Sequence, residues 1–150
     1  MSIQQTATTS FKVELLQAVH NFGPTSPNTF KVALYTAAAN IGPSTTAYTA
    51  IGEVPNGGGY TTTGQVLAIS VSPTSGTNSS QVPTAYVSFA NESWPNATFT
   101  CRGALIYNDS VAGKPSVAVL DFGSDKTSTG TFTITMPANT ATAALIRSSN

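Results

Sequence analysis

The residues most suggestive of chemistry lie in "GALIYNDSVAGKPSVAVLDFG", positions 103–123. Gly113-Lys114 has the letters of a phosphate-binding loop, in which backbone N–H groups encircle a phosphate and a lysine reaches its oxygens. The geometry of that loop is not available here. Pro115 stands where a Ser or Thr must open a helix, and proline has no N–H to give. Asn108 occupies the position of the first glycine. Asp121-Phe122-Gly123 has the letters of a kinase metal site, but no His-Arg-Asp catalytic loop accompanies it and 150 residues are too few for that fold. The stretch reads instead as a β-hairpin: a strand to Asn108, a polar loop around Lys114, and a strand to Phe122, with Gly123 opening a turn.

Other chemistry is equally sparse. His20 is the single histidine, so any Ser-His-Asp triad would need it as the base. It falls near the end of the one helical segment, where a surface position suits a cation, and no GxSxG elbow is present. Cys101 is the single cysteine and lies within an alternating strand, which predicts a buried, inert thiol and excludes an intrachain disulfide. The six carboxylates, Glu14, Glu53, Glu92, Asp109, Asp121 and Asp125, are scattered, whereas a metal needs converging ligands. We therefore expect no catalytic residue, no metal site and no cofactor. Four glycosylation sequons, at Asn78, Asn91, Asn96 and Asn108, arise by chance in so hydroxyl-rich a chain.

Composition agrees. Charged residues make up 8% of the chain, against roughly 25% in an average soluble domain. The six basic and six acidic residues cancel. Such a surface has no field to steer nucleic acid or an anionic membrane. Near-zero net charge also favours association. Serine and threonine supply about a quarter of the residues; threonine suits strands and serine suits turns. No apolar run approaches the ~20 residues that span a bilayer. "MSIQQTATTS" has neither a basic start nor an apolar stretch, which predicts an unprocessed chain made in a cytosol.

The elements that would position these residues are mostly strands. "SFKVELLQAVHNFGP" predicts a helix over 11–22, with Ser10 as N-cap and Gly23-Pro24 as the stop. Its apolar stripe, Phe11, Leu15, Ala18 and Phe22, should lie on a sheet. Thereafter the period is two, with predicted strands at 29–36, 64–72, 84–90, 97–108, 116–123, 131–137 and 141–147. The expected fold is mainly β: a single-domain antiparallel β-sandwich, jelly-roll-like, with one N-terminal α-helix. Residues 1–10 form an arm, 11–22 the helix and 29–147 the strands.

"ALI" at 104–106, "VAVL" at 117–120 and "AALI" at 143–146 are apolar on both faces, which predicts burial from both sides. The helix is too short to cover three strands, so a partner subunit is expected to cover the rest, with Ala118 and Val119 at the contact. The arm residues Ile3, Gln4 and Gln5 either meet a neighbouring subunit or pack on their own domain. Trp94 is either a core plug beneath a loop or an exposed interface anchor.

"SFKVELLQAVHNF", "TFKVALYT", "AYTAIGEV", "RGALIYND" and "AVLDFGSDKTS" together resemble small virion structural proteins of tailed bacteriophages. The likeness spans about 11–147 and rests on strand patterns. It implies a structural role in the virion, most simply as a capsid decoration (cement) protein acting across capsomer joints. The implied partners are further copies of the chain, by analogy a trimer, and the major capsid protein or other virion proteins, with no nucleic acid and no membrane. Tail, neck or fibre placement is the alternative, including a receptor- or glycan-binding module using Tyr48, Tyr60 and Trp94.

Overall fold

The computed structural model describes residues 2–150. The chain is mainly β, with antiparallel sheets and one short helix. In chain order the elements are β1 (Thr6–Ala7), α1 (Thr9–Leu16), β2 (Phe30–Tyr35), β3 (Gln65–Leu67), β4 (Ile69–Thr77), β5 (Pro83–Phe89), β6 (Glu92–Ala97), β7 (Thr100–Asn108), β8 (Ser116–Thr127), β9 (Gly130–Ile134) and β10 (Ile146–Ser149). A five-stranded sheet has the order β1-β8-β7-β2-β3, a three-stranded sheet β10-β5-β4, and β6 pairs with β9.

Alternation in β2 explains the centre. Phe30, Val32 and Leu34 enter the main core, with Ala104 and Ile106 of β7 and Leu120 of β8. Val87 and Phe89 of β5 and Trp94 of β6 join the same core, so all three sheets contribute to it. The other face of β2, β7 and β8 is also buried: Ala33, Tyr35, Leu105, Tyr107 and Val119 form a second cluster with Ala39 and Ile41. The two-sided runs at 104–106 and 117–120 are thus covered by the chain itself, whereas the run at 143–146 is only partly buried, with Ala143 exposed. Residues 36–54 cross the outer face, joined through Val54 N to Leu34 O (2.9 Å) and Ser116 N to Thr46 O (3.0 Å). The N-terminal arm completes the cover through a parallel Ile3–Ile41 bridge and the β1–β8 pairing, Thr6 opposite Val119.

Two glycines permit this closeness. A Cβ on Gly103 would sit 2.9 Å from Ile3 Cγ2 and 2.5 Å from Leu120 O, so only glycine lets the arm lie on β7. Gly64 turns the chain at φ +72° beside β2, where a Cβ would overlap the Val32 carbonyl.

The helix is shorter than its apolar period predicts. Thr8, not Ser10, is the N-cap, its hydroxyl accepting from Phe11 N at 3.4 Å. The end is a Schellman turn: Val19 N donates to Glu14 O (3.0 Å), Ala18 N donates to Leu15 O (3.2 Å), and Ala18 takes φ +59°. Ala18 rather than Gly23-Pro24 therefore terminates α1. The chain then doubles back, and Phe22 meets Phe11 edge-on with ring centroids 6.1 Å apart. What read as one helical stripe is two segments folded on each other.

Strand boundaries shift for similar reasons. The 64–72 run is broken at Ala68, where the chain passes from β3 to β4. Residues 92–96, read as a connection, belong to β6 despite Pro95. The strand β8 does not end at Phe122 with a turn at Gly123; it continues to Thr127 through a bulge in which Gly123 has φ +76°. Residues 141–145 are turn rather than strand, and β10 begins only at Ile146. Among the described residues no helix is long and apolar enough to cross a membrane.

Candidate functional site

Polar and titratable side chains gather in two buried networks. The first surrounds His20, whose side chain is fully buried rather than at the surface. The turn after α1 carries it inward onto the rings of Phe11 (5.0 Å between centroids) and Phe30 (6.4 Å). Its Nε2 lies 2.8 Å from Glu14 Oε2 and its Nδ1 3.1 Å from Asn108 Nδ2. Asn108 Nδ2 also donates to Asn28 Oδ1 at 2.9 Å. Both imidazole nitrogens have polar partners within the chain.

The second network centres on Glu53. Its carboxylate accepts from Tyr48 and Tyr60 hydroxyls, each at 2.6 Å, and from Thr63 N at 2.7 Å. Thr63 has φ +76°, a costly conformation for a β-branched residue, and Glu53 holds it there. Tyr35 and Tyr107 hydroxyls donate to the carbonyls of Thr49 and Thr63. Burial, then the nearby Glu53, pushes Tyr48 up to about 12 and raises Tyr35 and Tyr60 further above the usual phenol value. Burial, then the Asp109 charge, raises Tyr107 likewise. Lys114 sits 5.7 Å from the Tyr48 ring centroid and 3.0 Å from Asp109 Oδ1, and Lys31 lies 3.5 Å from Asp109 Oδ2. The lysine of the phosphate-loop lookalike is thus a structural cation.

The remaining expected residues fall as follows. Cys101 is buried, and burial, then Asp125, pushes its thiol up to about 12. Asp121 pairs with Arg102 at 3.4 Å and accepts from Gly123 N. Among the described residues no three His, Cys, Asp or Glu side chains converge as metal ligands. Trp94 is fully buried between Tyr60 and Phe132. Gln65, oriented with its oxygen toward the indole N–H (3.0 Å) and its nitrogen toward Glu92 (2.6 Å), completes its polar contacts. Ala118 faces the main core and Val119 the second cluster. Ile3 packs against that second cluster, while Gln4 and Gln5 stay exposed. The six candidate contact residues therefore do not form one surface patch.

What is exposed instead is the flank of α1. Only Phe11 of the helix is buried; Val13 and Leu15 are 51% and 40% exposed, and Leu16 is 91% exposed. Beside them runs a groove of about 590 Å³ between α1 and β10, lined by Leu15, Leu16, Leu145 and Ile146. The sequence carried a signal for this flank. Val13 and Leu16 lie off the predicted stripe, so a helix resting on one sheet leaves them uncovered, whereas Leu15, a stripe residue expected to be covered, is exposed as well.

Comparison with protein-family models, curated proteins and solved structures finds no significant match to the chain.

Proposed function

We propose that this chain is a structural subunit of a larger assembly and, following the resemblance of its strand patterns, a capsid decoration protein of a tailed bacteriophage that binds across capsomer joints. The observation that supports an assembly role is the uncovered apolar flank of α1, above all Leu16 at 91% exposure. Fully burying one leucine side chain stabilises by about 1.5–3 kcal/mol, so a partner covering this flank gains readily. The absence of net charge removes the repulsion that would oppose such association. The phage assignment rests on the sequence resemblance alone. The sandwich-like, jelly-roll reading of the fold belongs to the same proposal; the shared core of the five- and three-stranded sheets supports it. A trimer on local three-fold sites is the matching oligomer.

The receptor-binding alternative draws no support from its candidate aromatics. Trp94 and Tyr60 are buried, and Tyr48 donates its hydroxyl to Glu53. Counting copies per particle by quantitative mass spectrometry tests the proposal. Hundreds of copies support decoration. A count of about six or twelve moves the chain to the neck or tail. Absence from particles ends the phage reading.

A further inference from the structure

We propose that the groove between α1 and β10 receives an extended, acidic strand of a different protein of the assembly, which adds to the free edge of β10. This rests on the assembly role proposed above and specifies where the partner binds. The strand β10 lies at the end of the three-stranded sheet, with β5 on its one paired side. All four of its residues, Ile146–Ser149, line the groove. Side chains alternate along a strand, so four consecutive lining residues mean that the strand's edge borders the groove, with its unpaired backbone groups. Ala7 of β1, itself an edge strand, lies on the same groove. The space is thus framed by edge strands, and an extended segment suits it by main-chain pairing.

Charge selects the occupant. Leu15, Leu16 and Leu145 supply an apolar wall, and the charged lining residues are Lys12 and Arg147, both cations. Arg147 donates to the Thr142 carbonyl, and neither cation has a carboxylate partner among the described residues. A second copy of the chain is a poor complement. Its edge strands β1, β3, β4, β9 and β10 contain no carboxylate, and Glu92 of β6, also an edge strand, already accepts from the Gln65 side-chain nitrogen at 2.6 Å. Asp125, the carboxylate without a polar partner among the described residues, is followed directly by Lys126. A strand alternating apolar and acidic residues satisfies both the wall and the cations.

Fluorescence anisotropy with the full chain tests this, using a labelled peptide of alternating valine and glutamate and a valine–lysine control. The glutamate peptide is expected to bind and the lysine peptide not to bind. Lys12→Glu with Arg147→Glu should weaken the glutamate peptide at least about tenfold and favour the lysine peptide. Circular dichroism should show the double variant folded, since both residues are exposed. No binding by the glutamate peptide, equal binding of the two peptides, or an unchanged double variant overturns the proposal. So does a sedimenting dimer that Leu16→Asp converts to monomer, because the occupant is then a second copy. Particle counts separate this proposal from the function it rests on. Normal copy number for the double variant rejects the groove alone, whereas absence of the wild-type chain rejects the virion role.

Discussion

His20 Nδ1 accepts a hydrogen bond from the side-chain amide of Asn108 at 3.1 Å, and this contact assigns the tautomer of the ring. Ser110 N donates to Asn108 Oδ1 at 3.0 Å, which turns the Asn108 nitrogen toward the imidazole. An amide nitrogen can only donate, so the ring proton sits on Nε2 and is given to Glu14. His20→Ala should therefore remove two hydrogen bonds and open a cavity beside Phe11 and Phe30. The expected loss is about 2–4 kcal/mol in urea unfolding. A variant within ~0.5 kcal/mol of wild type would show that the network contributes little.

The tyrosines around Glu53 predict alkaline behaviour. Their folded values are raised, so the stability they contribute is fully present below about pH 10, the usual phenol value. It is lost as pH rises through their folded values, for Tyr48 about 12. Tyrosinate absorbance should lag that of the urea-unfolded chain and then rise together with loss of β-sheet circular dichroism. Glu53→Ala, which strands the Tyr60 hydroxyl and Thr63 N–H, should cost about 2–4 kcal/mol at neutral pH. A titration curve matching the unfolded chain would contradict this account.

Asp109 governs the acid side. Partial burial pushes its carboxyl up, but Lys114 and Lys31 outweigh that and hold it below the usual carboxylate range. Its contribution is present above about pH 4 and is lost as pH falls through the lower folded value. Asp109→Asn should flatten the fall of the urea midpoint in this acid range. An unchanged slope would assign the acid sensitivity to other carboxylates.

Val119 separates self-cover from partner cover. Val119→Asp should unfold the isolated chain, with a loss above about 4 kcal/mol, because the charge is placed in the second cluster. Ile3→Asp, at a half-buried arm position, should cost less and loosen the arm, read as faster amide exchange at Thr6 and Ala7. A soluble, folded Val119→Asp variant would mean that this face is not closed by residues 36–54.

Leu16→Asp should leave the isolated chain's unfolding within about 0.5 kcal/mol of wild type, since the side chain is already in water. The same variant should be depleted from particles. Normal incorporation would remove the α1 flank from the assembly surface.

The sequence was most legible where period two meets a single environment. The alternation of Phe30, Val32 and Leu34 placed β2 within a residue of its ends, and the 103–123 hairpin follows from its turn chemistry. It was least legible where distant segments decide the outcome. Nothing local marks Ala18 as a helix end, because the gain comes from packing Phe22 on Phe11 and His20 beside Asn108. Pro95 hid β6, although proline is tolerated beside the register break that follows Trp94. The double-sided apolar strands were recognised as needing two covers. That the second cover is the polar-looking 36–54 loop depends on Ile41, Ala39 and the three-dimensional return of the arm. Glu53 and its tyrosines lie in separate turns with no spacing motif, so their convergence had no sequence signature.

The pairing of Thr6 with Val119 has a consequence for the order of events in folding. The arm leaves the ribosome well before β8, the strand on which it docks. Until β8 emerges, Ile3 has no completed sheet to rest on and the outer face of β7 stays open. Closure of that face is therefore a late, long-range step, of the kind that makes non-local β topologies slow to fold. Refolding followed by pulsed hydrogen exchange should show Thr6 and Ala7 acquiring protection after β2 and β7.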